Sequence, residues 1–202
     1  NIFKIENNYL LSQNAQNNDG LIIIAIHNRS VDMLLKWINS KSKTISLYKK
    51  IKNKMLDSFV RKEREKNDNE TYETSVSGVR KIFKSLLSNN VICLAADQVP
   101  QAGMGEYVKF FNRDAYTTTL ASSLAHKTGK PVIYCSMNSD NNKNLFVSIK
   151  PCHDNIYNDS KRLLSMNNSI ENLININPKD YSWEYKRFKK AKPKNTDPYL
   201  KA

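Results

Sequence analysis

Three short apolar runs constrain this chain most: LIIIAI at Leu21–Ile26, VICLAA at Val91–Ala96, and the stretch Val132–Met137. Each is strand-length, and each ends on polar or turn-forming residues. Between them lie longer stretches whose apolar residues recur at helical spacing. Val31–Asn39 reads as a helix with Ser30 as its N-cap. Thr44–Tyr48 reads as a strand and Leu145–Ile149 as another. Lys49–Lys66, Ser77–Ser88, Thr117–Thr128 and Lys161–Ile176 read as helices. In the first of these, Ile51, Met55, Leu56, Phe59 and Val60 share one face and basic residues cover the other. Strands alternating with helices predict an α/β fold with a central, mostly parallel sheet flanked by helices. No repeat or internal linker interrupts the pattern, so one domain over residues 1–202 is expected, ending in a basic, aromatic tail at 180–202.

Charge speaks to partners. Thirty-two Lys and Arg against nineteen Asp and Glu leave the chain at +13. Nucleic acid, anionic lipid headgroups and acidic carrier proteins are all attracted to such a surface. The longest apolar run is about six residues, far short of the ~20 that span a bilayer. Three cysteines, Cys93, Cys135 and Cys152, have no metal-ligand spacing. The first two fall in apolar runs and read as buried, reduced thiols. The chain opens on Asn1 rather than Met, which suggests a further segment upstream.

Several clusters offer chemistry. The strand Leu21–Ile26 delivers His27 to the sheet's carboxyl edge, where open α/β folds place ligands. Asp32 follows five residues later, within a turn's reach of the imidazole. An acid on one ring nitrogen fixes the tautomer and leaves the other to take a proton. A turn followed by an acidic first helical turn fits the same pattern. Residues 91–111 end a second strand on Asp97 and Gln98, then enter a loop carrying Gly103 and Gly105. Asp97 can hold a neighbouring basic residue, shape the site floor or cap a turn, and the glycines form no phosphate-binding fingerprint. Arg61 and Arg64 lie a turn apart; they suit phosphate, or a solvated face paired with Glu63 and Glu65. The threonines at 117–119 suit an anion at a helix start, or simple capping. In the tail, Tyr181, Trp183, Tyr185 and Phe188 interleave with Lys186, Arg187, Lys189 and Lys190. Such a segment can stack on bases, lie at a lipid interface, or dock its rings on the core. His126 reads as a helix-surface residue and His153 as a loop residue.

The order of these pieces resembles the lipid A biosynthesis acyltransferases, the lauroyl and myristoyl transferases that complete Kdo2-lipid A. His-x4-Asp after a buried strand, the block ADQVPQAGMGEYVKFFNRDAYTTTLASSLAHKTGKPVI and the segment YSWEYKRFKKAKP carry the likeness, from about Gly20 to Pro193. The short His-acid motif is shared by all glycerolipid acyltransferases; the long block is more specific. The resemblance implies a glycerolipid-acyltransferase-like fold and transfer of a fatty acyl chain from acyl carrier protein to a hydroxyl of a phosphorylated glucosamine disaccharide. It makes His27 the general base and Asp32 its orienting acid. Arg64 and Asp97 match family positions near the site, and Arg29, Arg61, Gln98 and Arg187 join them as candidate substrate-binding residues. No cofactor or metal is implied, since the acyl carrier protein is itself a substrate. The setting implied is the cytoplasmic face of the inner membrane, with an N-terminal membrane helix that lies outside this sequence.

One departure bears on the acceptor. Many family members read His-Phe-Gly-Asn-Trp-Glu, whereas Asn28, Arg29, Ser30, Val31 and Asp32 follow His27 here. An Asp in the last place is nearer to the lysophosphatidic acid acyltransferases, so a lysophospholipid acyltransferase with the same chemistry is the alternative. A basic nucleic-acid-binding module is the remote one: it has the charge but no helix-turn-helix, zinc or RNA-recognition signature, and no nucleic-acid partner is expected. A serine hydrolase lacks its Gly-x-Ser-x-Gly elbow.

Overall fold

The computed structural model describes residues 2–190 together with 198 and 199. Residues 191–193 of the expected tail motif lie outside the described residues. In chain order the elements are β1 (Ile2–Glu6), α1 (Asn8–Gln16), β2 (Leu21–Ala25), α2 (Val31–Asn39), β3 (Thr44–Tyr48), α3 (Lys54–Arg64), β4 (Glu70–Glu73) and α4 (Val76–Leu87). They continue with β5 (Val91–Ala95), β6 (Gly105–Phe110), β7 (Arg113–Thr118), α5 (Leu120–Thr128), β8 (Val132–Ser139), β9 (Leu145–Pro151) and α6 (Arg162–Ile174).

Seven strands form one sheet in the order β1-β9-β8-β2-β5-β3-β4, with β6 and β7 a separate hairpin. Every pairing in the large sheet is parallel except β8 with β9. The α/β sheet expected from the apolar runs is therefore present. β2 lies at its centre and is buried on both faces, which is why its sequence is continuously apolar instead of alternating. Ile22, Ile24 and Ile26 pack with Leu94 and Tyr134 against residues of α4, α5 and α6. Leu21, Ile23 and Ala25 pack with Cys93 and Cys135 against α2 and Leu11 of α1. Helices thus cover both faces. Among the described residues no helix is long and apolar enough to cross a membrane.

Local signals explain the boundaries that the sequence reading located well. Ser30 caps α2 by accepting the Met33 N–H at 3.2 Å. Gly129 ends α5 in a left-handed conformation at φ +62°.

Others moved. The helix expected from Lys49 begins at Lys54, because Asn53 caps it by accepting from Met55 N and Leu56 N. The helix expected from Thr117 begins at Leu120, and its first threonines belong to β7. Thr117 is buried there and donates to the Ala115 carbonyl, so it faces no anion. The glycine loop binds no phosphate-like cradle either: the N–H groups of Gly103 and Gly105 both donate to the Tyr116 hydroxyl. Gly105 is nevertheless required, since a Cβ there would sit 2.5 Å from the Thr117 carbonyl oxygen.

Candidate active site

The site is built by strand register. β2 and β5 pair in parallel with Ala25 opposite Ala95, and the Ala96 N–H still donates to the Ala25 carbonyl just past the strand ends. Two residues beyond each aligned alanine come His27 and Asp97, side by side at the carboxyl edge. Asp97 is buried and receives two bonds from the same residue: the His27 backbone N–H at 2.9 Å and ring Nδ1 at 2.8 Å. A carboxylate only accepts, so Nδ1 carries the hydrogen and Nε2 is left with its lone pair.

This corrects the expected role of Asp32. Its carboxylate accepts instead from Arg64 Nη2 at 2.6 Å and is largely solvent-exposed, at 70%. The reason is local. Asp32 lies in the first turn of a capped helix, which directs it outward, while the sheet supplies a nearer acid. Asp32 still acts on the imidazole by charge. Burial alone would lower the His27 pKa, but the Asp97 hydrogen bond and charge, with the charge of Asp32, outweigh burial and the opposing Arg64; the pKa is raised above 6.5.

The chain after α6 closes the back of the site. Tyr181 bridges Asn28, Arg29 N–H donates to the Asp180 carbonyl at 2.7 Å, and Ser182 N–H donates to the His27 carbonyl at 3.2 Å. These bonds hold the turn after His27, where Arg29 takes a left-handed conformation at φ +55°. The Tyr181 hydroxyl lies near Asp97, and burial, ahead of that carboxylate's charge, raises its pKa strongly. Tyr185 accepts the Val99 N–H through its hydroxyl, fixing the strand-end loop. Of the three roles weighed for this segment, docking of rings on the core describes Tyr181 and Phe188, while Trp183 stays half exposed. Tyr181 as a support for the aspartate escaped the sequence reading, because nothing local links positions so far apart.

The other candidates divide. Arg64, Asp32 and Gln98 line the same groove as His27. Arg61 does not: it pairs with Glu65 at 2.8 Å on the exposed side of α3. Arg29 reaches Asp180 at 3.5 Å. Arg187 is buried, donating to the Tyr116 carbonyl and Thr117 Oγ1 and lying over the Phe110 ring, so it supports the fold instead of meeting substrate. Its charge also lies near Asp97, although burial is the main influence on it and lowers its pKa. His126 bonds the Tyr157 carbonyl at the surface, as its helix position suggested. Cys93 and Cys135 are buried, and burial pushes the Cys93 thiol up to about 12, which makes it a poor nucleophile. No group of His, Cys, Asp and Glu among the described residues could hold a metal ion.

The groove has a volume of about 440 Å³ and runs from His27 between α2, α3, β3 and α5. Its walls are mainly apolar, with Val31, Leu35, Leu47, Val60 and Leu120 prominent. An imidazole with one ring nitrogen free, beside an apolar channel and a guanidinium, is an arrangement able to take up a proton and to hold hydrocarbon. A family model gives this arrangement its particular form. The model described as bacterial lipid A biosynthesis acyltransferase matches residues 2–190, and the chain belongs to that family. The match starts earlier than the likeness read from about Gly20. No curated protein shows a significant match to the chain.

Proposed function

We propose that this acyltransferase moves a fatty acyl chain from acyl carrier protein to a hydroxyl of a lipid A precursor, with His27 as general base. The observation that carries the reading is the His27–Asp97 pair: Nδ1 is held at 2.8 Å, and the ring remains 26% exposed beside the apolar groove. Nε2 takes the acceptor's hydroxyl proton as that oxygen attacks the thioester carbonyl. The tetrahedral intermediate then collapses, the C–S bond breaks, and the departing thiolate takes the proton from the imidazolium. Asp97 steadies the cation formed in between. No cofactor is needed, because the thiol is a sufficient leaving group.

The groove suits the acyl chain, and Arg64 at its rim suits phosphate or the developing oxyanion. Arg64 Nε is buried and has no hydrogen-bond partner among the described residues, which fits a donor kept for substrate. The +13 charge suits both an acidic carrier protein and an anionic glycolipid. An acceptor of that kind resides in a bilayer, so the enzyme works at a membrane surface, and we place it at the cytoplasmic face of the inner membrane.

The test mixes acyl carrier protein charged with laurate or myristate with a tetra-acylated lipid A precursor, and runs lysophosphatidic acid in parallel. Acylated lipid A that disappears with His27→Ala is the expected result. Acylation of lysophosphatidic acid alone would shift the reading to a lysophospholipid acyltransferase. Inactivity of the folded wild type with every pair would overturn it.

A further inference from the structure

Helix α3 has the amphipathic pattern of a core helix and buries none of its residues. Met55 is 84% exposed, Phe59 64% and Leu56 49%. At helical spacing these three fall on adjacent positions of one face. The neighbouring face, through Val60 and Arg64, lines the groove that leads to His27. The helix is therefore a wall of the site on one side and an uncovered apolar stripe on the other. Three exposed side chains of this size on one helix mark a contact surface.

We infer that this stripe is the part of the enzyme that enters an anionic lipid bilayer, with α3 lying in the plane of the headgroups. Charge identifies the occupant. Lys52, Lys54 and Lys62 border the stripe and are exposed. The nearby acids are engaged: Glu63 pairs with Lys66 at 2.6 Å, Glu65 with Arg61 at 2.8 Å, and Asp57 accepts the Ile51 N–H at 2.8 Å. Lysines flanking bulky apolar residues are the makeup of an interfacial helix. A second copy of the chain would need roughly 800 Å² from each partner, far more than one short stripe offers. The charge of an acidic carrier protein would meet the lysines but accounts for none of the exposed apolar area of Met55 and Phe59. Burying the stripe also brings the mouth of the groove to the lipid surface, where an amphiphilic acceptor can reach His27 without leaving the bilayer. The inference rests on the proposed reaction only for that last benefit.

The experiment uses the full chain and vesicles of phosphatidylcholine, alone or mixed with phosphatidylglycerol. Wild-type protein should sediment with the mixed vesicles, and less so as salt rises. The double variant Met55→Glu, Phe59→Glu should lose at least about tenfold in partitioning while acylating detergent-dispersed acceptor at the wild-type rate. Phe59→Trp should fluoresce and be quenched by lipids brominated along the acyl chain. Equal vesicle binding by the double variant, or an unquenched Trp at 59, would overturn the inference. So would a variant that binds vesicles normally but loses self-association or carrier-protein binding. A wild type that binds vesicles yet transfers no acyl chain would instead overturn the proposed reaction and leave the surface standing.

Discussion

Asp97 holds His27 by two bonds at once, through the backbone N–H and through Nδ1, because parallel register sets both residues two positions past a paired alanine. Asp32, five residues along the chain, pairs with Arg64 instead. Asp97→Asn removes the charge that favours the imidazolium and makes the ring tautomer ambiguous. It should lower kcat by about 10²–10⁴, whereas Asp32→Asn should cost no more than about tenfold. Steady-state kinetics of the two purified variants, with circular dichroism to verify folding, check this. A larger loss from Asp32 than from Asp97 would reverse the assignment.

The raised His27 pKa fixes a direction for pH dependence. A general base must be neutral, so kcat/KM should climb with pH through a value above 6.5. Asp97→Asn should move that limb to lower pH. Stability runs the other way. The favourable interaction belongs to the protonated ring, so its contribution is complete below about 6.5 and fades as pH rises through the higher folded value. Rate profiles and urea titrations across this window read the two effects separately. An acidic limb below the ordinary histidine range would contradict the geometry.

Tyr181 does not itself line the groove, and its hydroxyl lies near Asp97, so any influence on the reaction passes through that carboxylate. Tyr181→Phe keeps the ring in the core and deletes the hydroxyl dipole beside that carboxylate. The loss in kcat should be modest, up to about tenfold, the scale of one polar contact. Without that hydroxyl nearby, Asp97 holds the imidazolium more strongly, so the activity limb should move to higher pH, opposite to Asp97→Asn. A tyrosine that merely filled space would leave the limb where it is.

The sheet was readable because its central strands β2, β5 and β8 are buried on both faces, and continuous apolar runs mark such strands directly. His27 was readable for the same reason: it ends one of those runs. Its partner was not, since Asp97 meets it through register between β2 and β5, seventy residues apart in sequence. The edge strand β4 escaped notice because Glu70–Glu73 is half exposed and carries charge. α1 fell in a polar opening with little apolar periodicity, and β1, just ahead of it, is a five-residue strand at the sheet's edge. β7 was hidden by the threonines of its end, which resemble a helix start. Periodicity did reveal the amphipathic character of α3, but periodicity does not tell which side has a neighbour.

The groove makes the last prediction. Val60 stands half-buried on α3 and faces into it, opposite the wall formed by α2 and β3. Its side chain is small, and α3 has no buried residue of its own, so a larger group there should project into the channel without disturbing the core. Val60→Trp should therefore shorten the acyl chain accepted: laurate transfer should persist better than myristate, and shorter donors should gain relative to both. The effect belongs in KM and in chain preference more than in kcat with the shortest donor, because His27 and Asp97 are untouched. Competition among carrier proteins charged with graded chains measures it directly. An unchanged chain-length profile, with the rate lowered equally for all donors, would mean that the hydrocarbon lies elsewhere.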